Sequence, residues 1–538
     1  MTGAPSWPKP PREPGPWAGG PPVAPPGNTA LPPLPGPGGV SRTSAASTNP
    51  WANAESLPAS GRRRPTPSRL KASALPRIDR APRSIMVLSA LVVVALVGGA
   101  VYLVVAGGRQ YPSEWDKRVY PIAQWVSKTR KLPFEHPVEV RFLSASEYTK
   151  AATSGDGEGD ESPQQLDDTA AQLRALGLLE GDVDLGAARD VLNDSGTMAF
   201  YSPETEVIYV RGTTLTPALR VTLAHELTHV LQDQHADLQR IDRLSDNQAP
   251  VLRALAEGDA GRIEDRYRAE VLTQQERVAE ELEASAVDDI DKKIADTVPA
   301  VMTTLFSSPY IFGPELIRYL DLTGGDGAID AALEDPPSEA VLFDPLISGT
   351  PAAEAGKLDV AAPTKDKIED GEFGPTAWYL LLAARMEPRV ALRAADGLAK
   401  DGYVVYRENK RVCVRVSVEG DTPADVLELW VALKTWVAKS ASGTAKIEMV
   451  DTEVRLQSCD PGIASKGSGS VTDDLLALPV TRTQLYNRSI KDGANPKQAA
   501  CFARALVMEM SLAQILDGKY LLSPPGRQVI NSVADRCR

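Results

Sequence analysis

His225-Glu226-Leu227-Thr228-His229 is the place in this 538-residue chain where residue types and spacing together describe a reaction centre. The chain has four histidines, His136, His225, His229 and His235, so a glutamate bracketed by two of them is a rare arrangement. On a helix, residues four apart share a face, and both imidazoles can grip one divalent ion while Glu226 stands beside it. Zinc suits such donors, polarises a carbonyl and lowers the pKa of a bound water to about 7. Glu226 is then expected to take a proton as that water attacks a peptide carbonyl. The bland alternative is two helix histidines satisfied by hydrogen bonds in the core.

A catalytic zinc needs a third protein ligand, and two residues compete. His235 follows His225 by ten residues, the spacing of HExxHxxGxxH. That pattern breaks its helix at glycine, whereas Gln232 stands here, and on an unbroken helix His235 lies about 80° off the His225 face. Its expected role is structural support or alternative ligation. Glu257, in Ala254-Leu255-Ala256-Glu257-Gly258-Asp259-Ala260-Gly261, is the preferred third ligand. On a second helix it completes a His₂Glu set, and the small residues around it would let two helices approach closely. Asp259, rotated about 200° from Glu257, is expected to point elsewhere. Tyr310 is a candidate hydrogen-bond donor to a developing oxyanion, with a packing aromatic as its alternative.

Several elements must position these residues. Thr216-Pro217 reads as an N-cap followed by proline at the first helical position. Leu219, Leu223, Leu227, Val230 and Leu231 then give the helix its apolar face. Met198–Tyr201 and Glu206–Val210 read as a hairpin, the second strand being the expected substrate-binding edge, with an ordinary interior strand as its alternative. Long helices are expected from Ala249 to beyond Glu280 and over 312–334, with another over 374–387. Tyr403–Val418 alternates like a hairpin, Thr422–Val437 is an amphipathic helix, and Lys446–Leu456 reads as a strand.

Outside this part the composition changes. Twenty of the 44 prolines precede Ser84, and residues 1–83 carry a balance of +8, leaving −21 for the rest. The first 83 residues are expected to be a disordered proline-rich tail. Its PPLPGP-type runs are candidate ligands for a cytoplasmic partner, or simply a spacer. The acidic remainder, lacking a basic stripe, argues against nucleic acid. Residues 84–108 (SIMVLSALVVVALVGGAVYLVVAGG) contain no charge and would span about 37 Å as a helix, enough to cross a bilayer. Basic residues crowd their N-terminal flank, so the tail is expected in the cytoplasm and 109–538 outside, anchored by one transmembrane helix. Four cysteines, Cys413, Cys459, Cys501 and Cys537, with no CxxC pair, suggest two disulfides in an oxidising compartment. The sequence-local pairing Cys413–Cys459 and Cys501–Cys537 is favoured among three connectivities, with buried free thiols as the alternative.

AHELTHVLQDQHADL (224–238) followed by ALAEGDA (254–260) resembles a group of bacterial, largely actinobacterial, membrane-anchored extracytoplasmic zinc peptidase-like proteins with gluzincin ligation. The likeness continues through 308–345, GEFGP (371–375), AADGLAKDGYVVY (394–406) and GDTPADVLELWVAL (420–433). It implies one zinc per chain on His225, His229 and Glu257, with Glu226 as general base. The similar proteins usually carry a Trp/Gly-rich turn where Leu398-Ala399-Lys400 stands here, and a His-Pro where Phe343-Asp344-Pro345 stands.

The expectation is therefore an α+β, mostly helical chain. A zincin-like metallopeptidase domain (109–462) would follow the membrane helix. A linker (463–472) and a small helical module (473–538) closed by Cys501–Cys537 would complete it. The leading function is hydrolysis of extracytoplasmic peptides or proteins. The alternative is a non-catalytic, zinc-stabilised scaffold for envelope partners.

Overall fold

A computed structural model of the chain describes residues 111–538, apart from 154–161, 195–197, 285–293, 348–355, 467, 468 and 470. The tail (1–83) and the apolar run (84–108) lie outside the described residues. Among those described, no helix is long and apolar enough to cross a membrane. The architecture is mixed α+β and mostly helical.

The first elements are α1 (Tyr120–Arg130), β1 (Glu139–Leu143), α2 (Ala145–Thr153), α3 (Pro163–Ala175) and α4 (Leu185–Asp194). The expected hairpin follows as β2 (Ala199–Ser202) and β3 (Val207–Arg211), antiparallel with Tyr201 opposite Ile208. β1 adds to it in parallel, giving the order β1-β3-β2. β3 is thus the central strand, and the expectation that it forms the substrate edge is corrected. β2 is the terminal strand on the side that packs against the next helix.

That helix, α5 (Pro217–Ala236), starts where Thr216-Pro217 placed it, and the Thr216 hydroxyl accepts from the Leu219 N–H. All five expected apolar residues are buried in a cluster shared with α1 and the small sheet. α6 (Ala249–Glu270) crosses α5 and divides its sides between two clusters. Ile263 and Tyr267 join the α5 cluster, while Val251, Leu252 and Leu255 join a larger one.

The helix expected from Ala249 extends beyond Glu280. Instead the chain turns at Val271–Thr273 and restarts as α7 (Gln274–Ala284). Thr273 and Glu276 exchange side-chain-to-backbone hydrogen bonds at its start, so a capping box outcompetes continuation of the helix.

α8 (Ala300–Glu334) begins twelve residues before the expected start at 312, holds Pro309 and Pro314, and kinks at Gly325. After the short α9 (Ala340–Phe343) come β4 (Gly356–Lys357), β5 (Lys367–Gly371), α10 (Gly374–Ala383) and α11 (Pro388–Asp396). β6 (Leu398–Glu408) and β7 (Arg411–Gly420) form the anticipated hairpin. Asn409 and Lys410 close it, both at positive φ as a two-residue turn of this type needs. α12 (Pro423–Ala438) is capped by Thr422 with Asp425. The single strand expected over Lys446–Leu456 is two, β8 (Ala445–Val450) and β9 (Glu453–Cys459), joined at Asp451 with φ 55°. The larger sheet runs β4-β6-β7-β9-β8, with β5 paired to β6.

The chain closes with α13 (Ala477–Lys491), α14 (Pro496–Glu509), α15 (Leu512–Leu516), α16 (Gly518–Leu522) and α17 (Pro524–Arg536). These helices join the same large apolar cluster as α8 and α10. Asn487 of α13 donates to the Glu315 carbonyl of α8 at 3.0 Å. Cys413–Cys459 joins directly opposed positions of β7 and β9, and Cys501–Cys537 ties α14 to the chain end, the sequence-local pairing.

Candidate metal centre

α5 presents His225 and His229 on one face, their ring centroids 4.7 Å apart. α6 brings Glu257 against them. Its Oε2 lies 3.2 Å from His225 Nε2 and 3.6 Å from His229 Nε2. One ligand atom from each of the three residues falls within 4.8 Å of the others. Their side chains are 10–14% exposed, so the cluster is sheltered yet reachable. Glu408, Cys413 and Cys459 also lie close together, but the two sulfurs are joined in a disulfide.

The electrostatics of the triad favour a cation at its centre. Burial alone would lower the His225 pKa, but hydrogen bonds to Glu257 and Glu264 outweigh it and hold it well above its ordinary value. His229 is likewise raised against its burial by the Glu257 charge. Burial alone would raise Glu257, yet the two imidazoles hold it far below the usual carboxylate range. A carboxylate facing two ring nitrogens is a donor set suited to zinc.

Further groups orient the rings. His225 Nδ1 lies 3.0 Å from Glu264 Oε2, and Arg268 holds the other oxygen of Glu264 at 3.0 Å. A carboxylate accepts at Nδ1, which leaves Nε2 directed at Glu257. Glu264 was not singled out from sequence. Its signal was there, since it follows Glu257 by seven residues, two turns along the same face. His229 Nδ1 lies 2.9 Å from Gln232 Oε1.

Glu226 is 8% exposed, and its Oε2 accepts the Tyr201 N–H of β2 at 2.8 Å. Burial pushes its pKa up, against the opposing influence of both imidazoles. Tyr310 reaches the site from α8. Burial and the neighbouring Glu257 carboxylate, to which it hydrogen-bonds, push its pKa well above the phenol range. His235 is not brought into the cluster. α5 continues through it, and its Nε2 bonds the Pro133 carbonyl at 2.8 Å. Asp259 turns away from the triad, as its helical angle required, and pairs with Arg130.

Glycine places Tyr310. The small residues near Glu257 were expected to admit α5, but the close contact is with α8. A Cβ on Gly258 would meet the Gly313 carbonyl at 2.4 Å, and one on Gly313 would meet the Ala254 carbonyl at 2.2 Å. With Gly313→Ala, α6 and α8 must separate. We expect a stability loss of about 1–3 kcal/mol, read as a lowered denaturation midpoint. An unchanged midpoint would refute this close packing.

No known family model, curated protein or solved structure matches the chain.

Proposed function

We propose that the protein is a zinc-dependent, zincin-like peptidase of the extracytoplasmic face, anchored in the cell membrane by residues 84–108. It would hydrolyse peptide bonds of peptides or proteins there. One observation carries the reading. His225 and His229 on α5 and Glu257 on α6 offer three ligand atoms within 4.8 Å, beside a buried Glu226 whose Oε2 accepts the Tyr201 N–H.

Zinc, held by those three residues, would supply Lewis acidity toward a substrate carbonyl and make water a better nucleophile at neutral pH. The chain's own residues divide the remaining work. Glu226 would take the proton of the attacking water, its buried carboxylate held in place by the Tyr201 N–H. Tyr310, whose side chain hydrogen-bonds Glu257, would donate to charge developing on the carbonyl oxygen. β2, a terminal strand whose Tyr201 N–H already contacts Glu226, offers its outer edge to an extended peptide. The intact Glu226 favours this reading over a non-catalytic scaffold, which has no use for a base beside its metal.

The ligand set is tested by metal analysis of purified variants. Glu257→Ala is expected to lose the zinc, and His235→Ala to keep one per chain. Zinc retained in the first and lost in the second would overturn the assignment.

A further inference from the structure

We propose that Gln232, Asp259 and Arg130 form a buried chain of positioning residues that fixes the His229 ring for metal binding. This inference rests on the metal reading above and extends it beyond the three ligands.

The orientation of the Gln232 amide is forced by its surroundings. Gln232 is 3% exposed, and its Nε2 lies 3.0 Å from the Ala256 carbonyl and 3.2 Å from Asp259 Oδ2. A carbonyl only accepts. The Asp259 carboxylate is an acceptor too, because Arg130 Nε donates to it at 2.9 Å and Arg262 donates to its other oxygen at 2.8 Å. The NH₂ end of Gln232 must therefore face α6, which turns Oε1 toward His229 Nδ1 at 2.9 Å. An oxygen acceptor there requires the ring proton on Nδ1, leaving Nε2 unprotonated for a metal.

The chain is deep and long-range. Asp259 is fully buried and Arg130, 129 residues earlier on α1, is 1% exposed. A buried ion pair rarely stabilises a fold more than apolar packing would, so its position directly behind a ligand calls for a local reason. Holding the Gln232 amide one way round is such a reason.

Zinc affinity of the full chain, measured by chelator competition, tests this. Gln232→Met keeps the volume but removes the acceptor, and should weaken zinc binding about ten- to a hundredfold. A readout that a purely structural bridge to Ala256 would not move is the His229 Nδ1 proton in the zinc-loaded chain: it should be protected from solvent exchange in the parent and exchange freely in Gln232→Met, and equal protection in the two overturns the proposal. Should Gln232→Met fail to fold, Asp259→Asn takes its place, with about a tenfold loss expected. Folded variants within about threefold of the parent also overturn it. A parent chain that takes up no zinc defeats the metal reading itself, and the positioning chain with it.

Discussion

Glu226→Gln is expected to keep the fold and the zinc while turnover falls by roughly 10²–10⁴, the usual contribution of a positioned general base. The glutamine retains what Glu226 does structurally, since a carboxamide oxygen can accept the Tyr201 N–H that Oε2 accepts at 2.8 Å. It cannot take a proton from water. No metal ligand changes, so zinc content should match the parent, and a loss of activity would then belong to the base alone. Digestion of a peptide library with and without chelator, alongside metal analysis, is the measurement. Chelator-sensitive cleavage persisting in the variant at the parent's rate would remove Glu226 from the mechanism.

The second large effect concerns stability and lies away from the proposed metal ligands. Around the GEFGP segment, buried carboxylates hold the backbone. Glu339, 3% exposed, accepts from Thr376 N–H at 3.3 Å, and its own N–H donates to Asn247. Asp401 accepts from the N–H groups of Phe373 and Gly374 and from the Trp378 indole, and Asp246 accepts from Glu372 N–H at 2.8 Å. Gly374 sits at φ 70° hard against Glu339, where a Cβ would meet Oε2 at 2.2 Å. Burial pushes Glu339 up to about 8, with the Asp401 charge adding to it, and pushes Glu372 to about 7 and Asp401 to about 6.

For a carboxyl raised above its unfolded value, the stabilising contribution is complete below the unfolded pKa. It is lost as pH climbs through the folded pKa. For Glu339 that window runs from roughly pH 4.5 to about 8. Glu339→Gln keeps an acceptor for Thr376 without the charge. The variant should gain on the parent between pH 5.5 and 8.5, by something on the order of a few kcal/mol. Chemical denaturation at the two pH values measures it. The imidazoles, whose pKa values are also raised, lose their contribution in both proteins, so the difference between parent and variant reports Glu339 together with its coupling to Asp401. Parallel curves would sink the idea.

Much of the site was written locally. The Thr216 cap, the proline after it and five apolar residues on one face defined α5, and helical spacing alone put His225 beside His229. Unbroken helix through Gln232 was reason enough to doubt His235 as a ligand, and the ring bonds Pro133. Other local signals were present but lost to a longer pattern. The Thr273–Glu276 capping box stops α6 inside a run that still looked helical, and Asp451 folds one apparent strand into two.

The sequence by itself determined what depends on neighbours within a few residues: caps, turns, the exposed and buried faces of α5, and the two imidazoles sharing one side. Only the tertiary structure decided which distant groups meet them. Glu257 reaches the rings, and Tyr310 reaches Glu257, because α6 crosses α5 on one side and touches α8 through Gly258 and Gly313 on the other. Arg130 finds Asp259 across 129 residues, and β3 rather than β2 becomes central because β1 arrives in parallel. A helical repeat fixes direction around one axis. The angle and depth at which two axes cross are set by side chains from both, and no period in either segment encodes them.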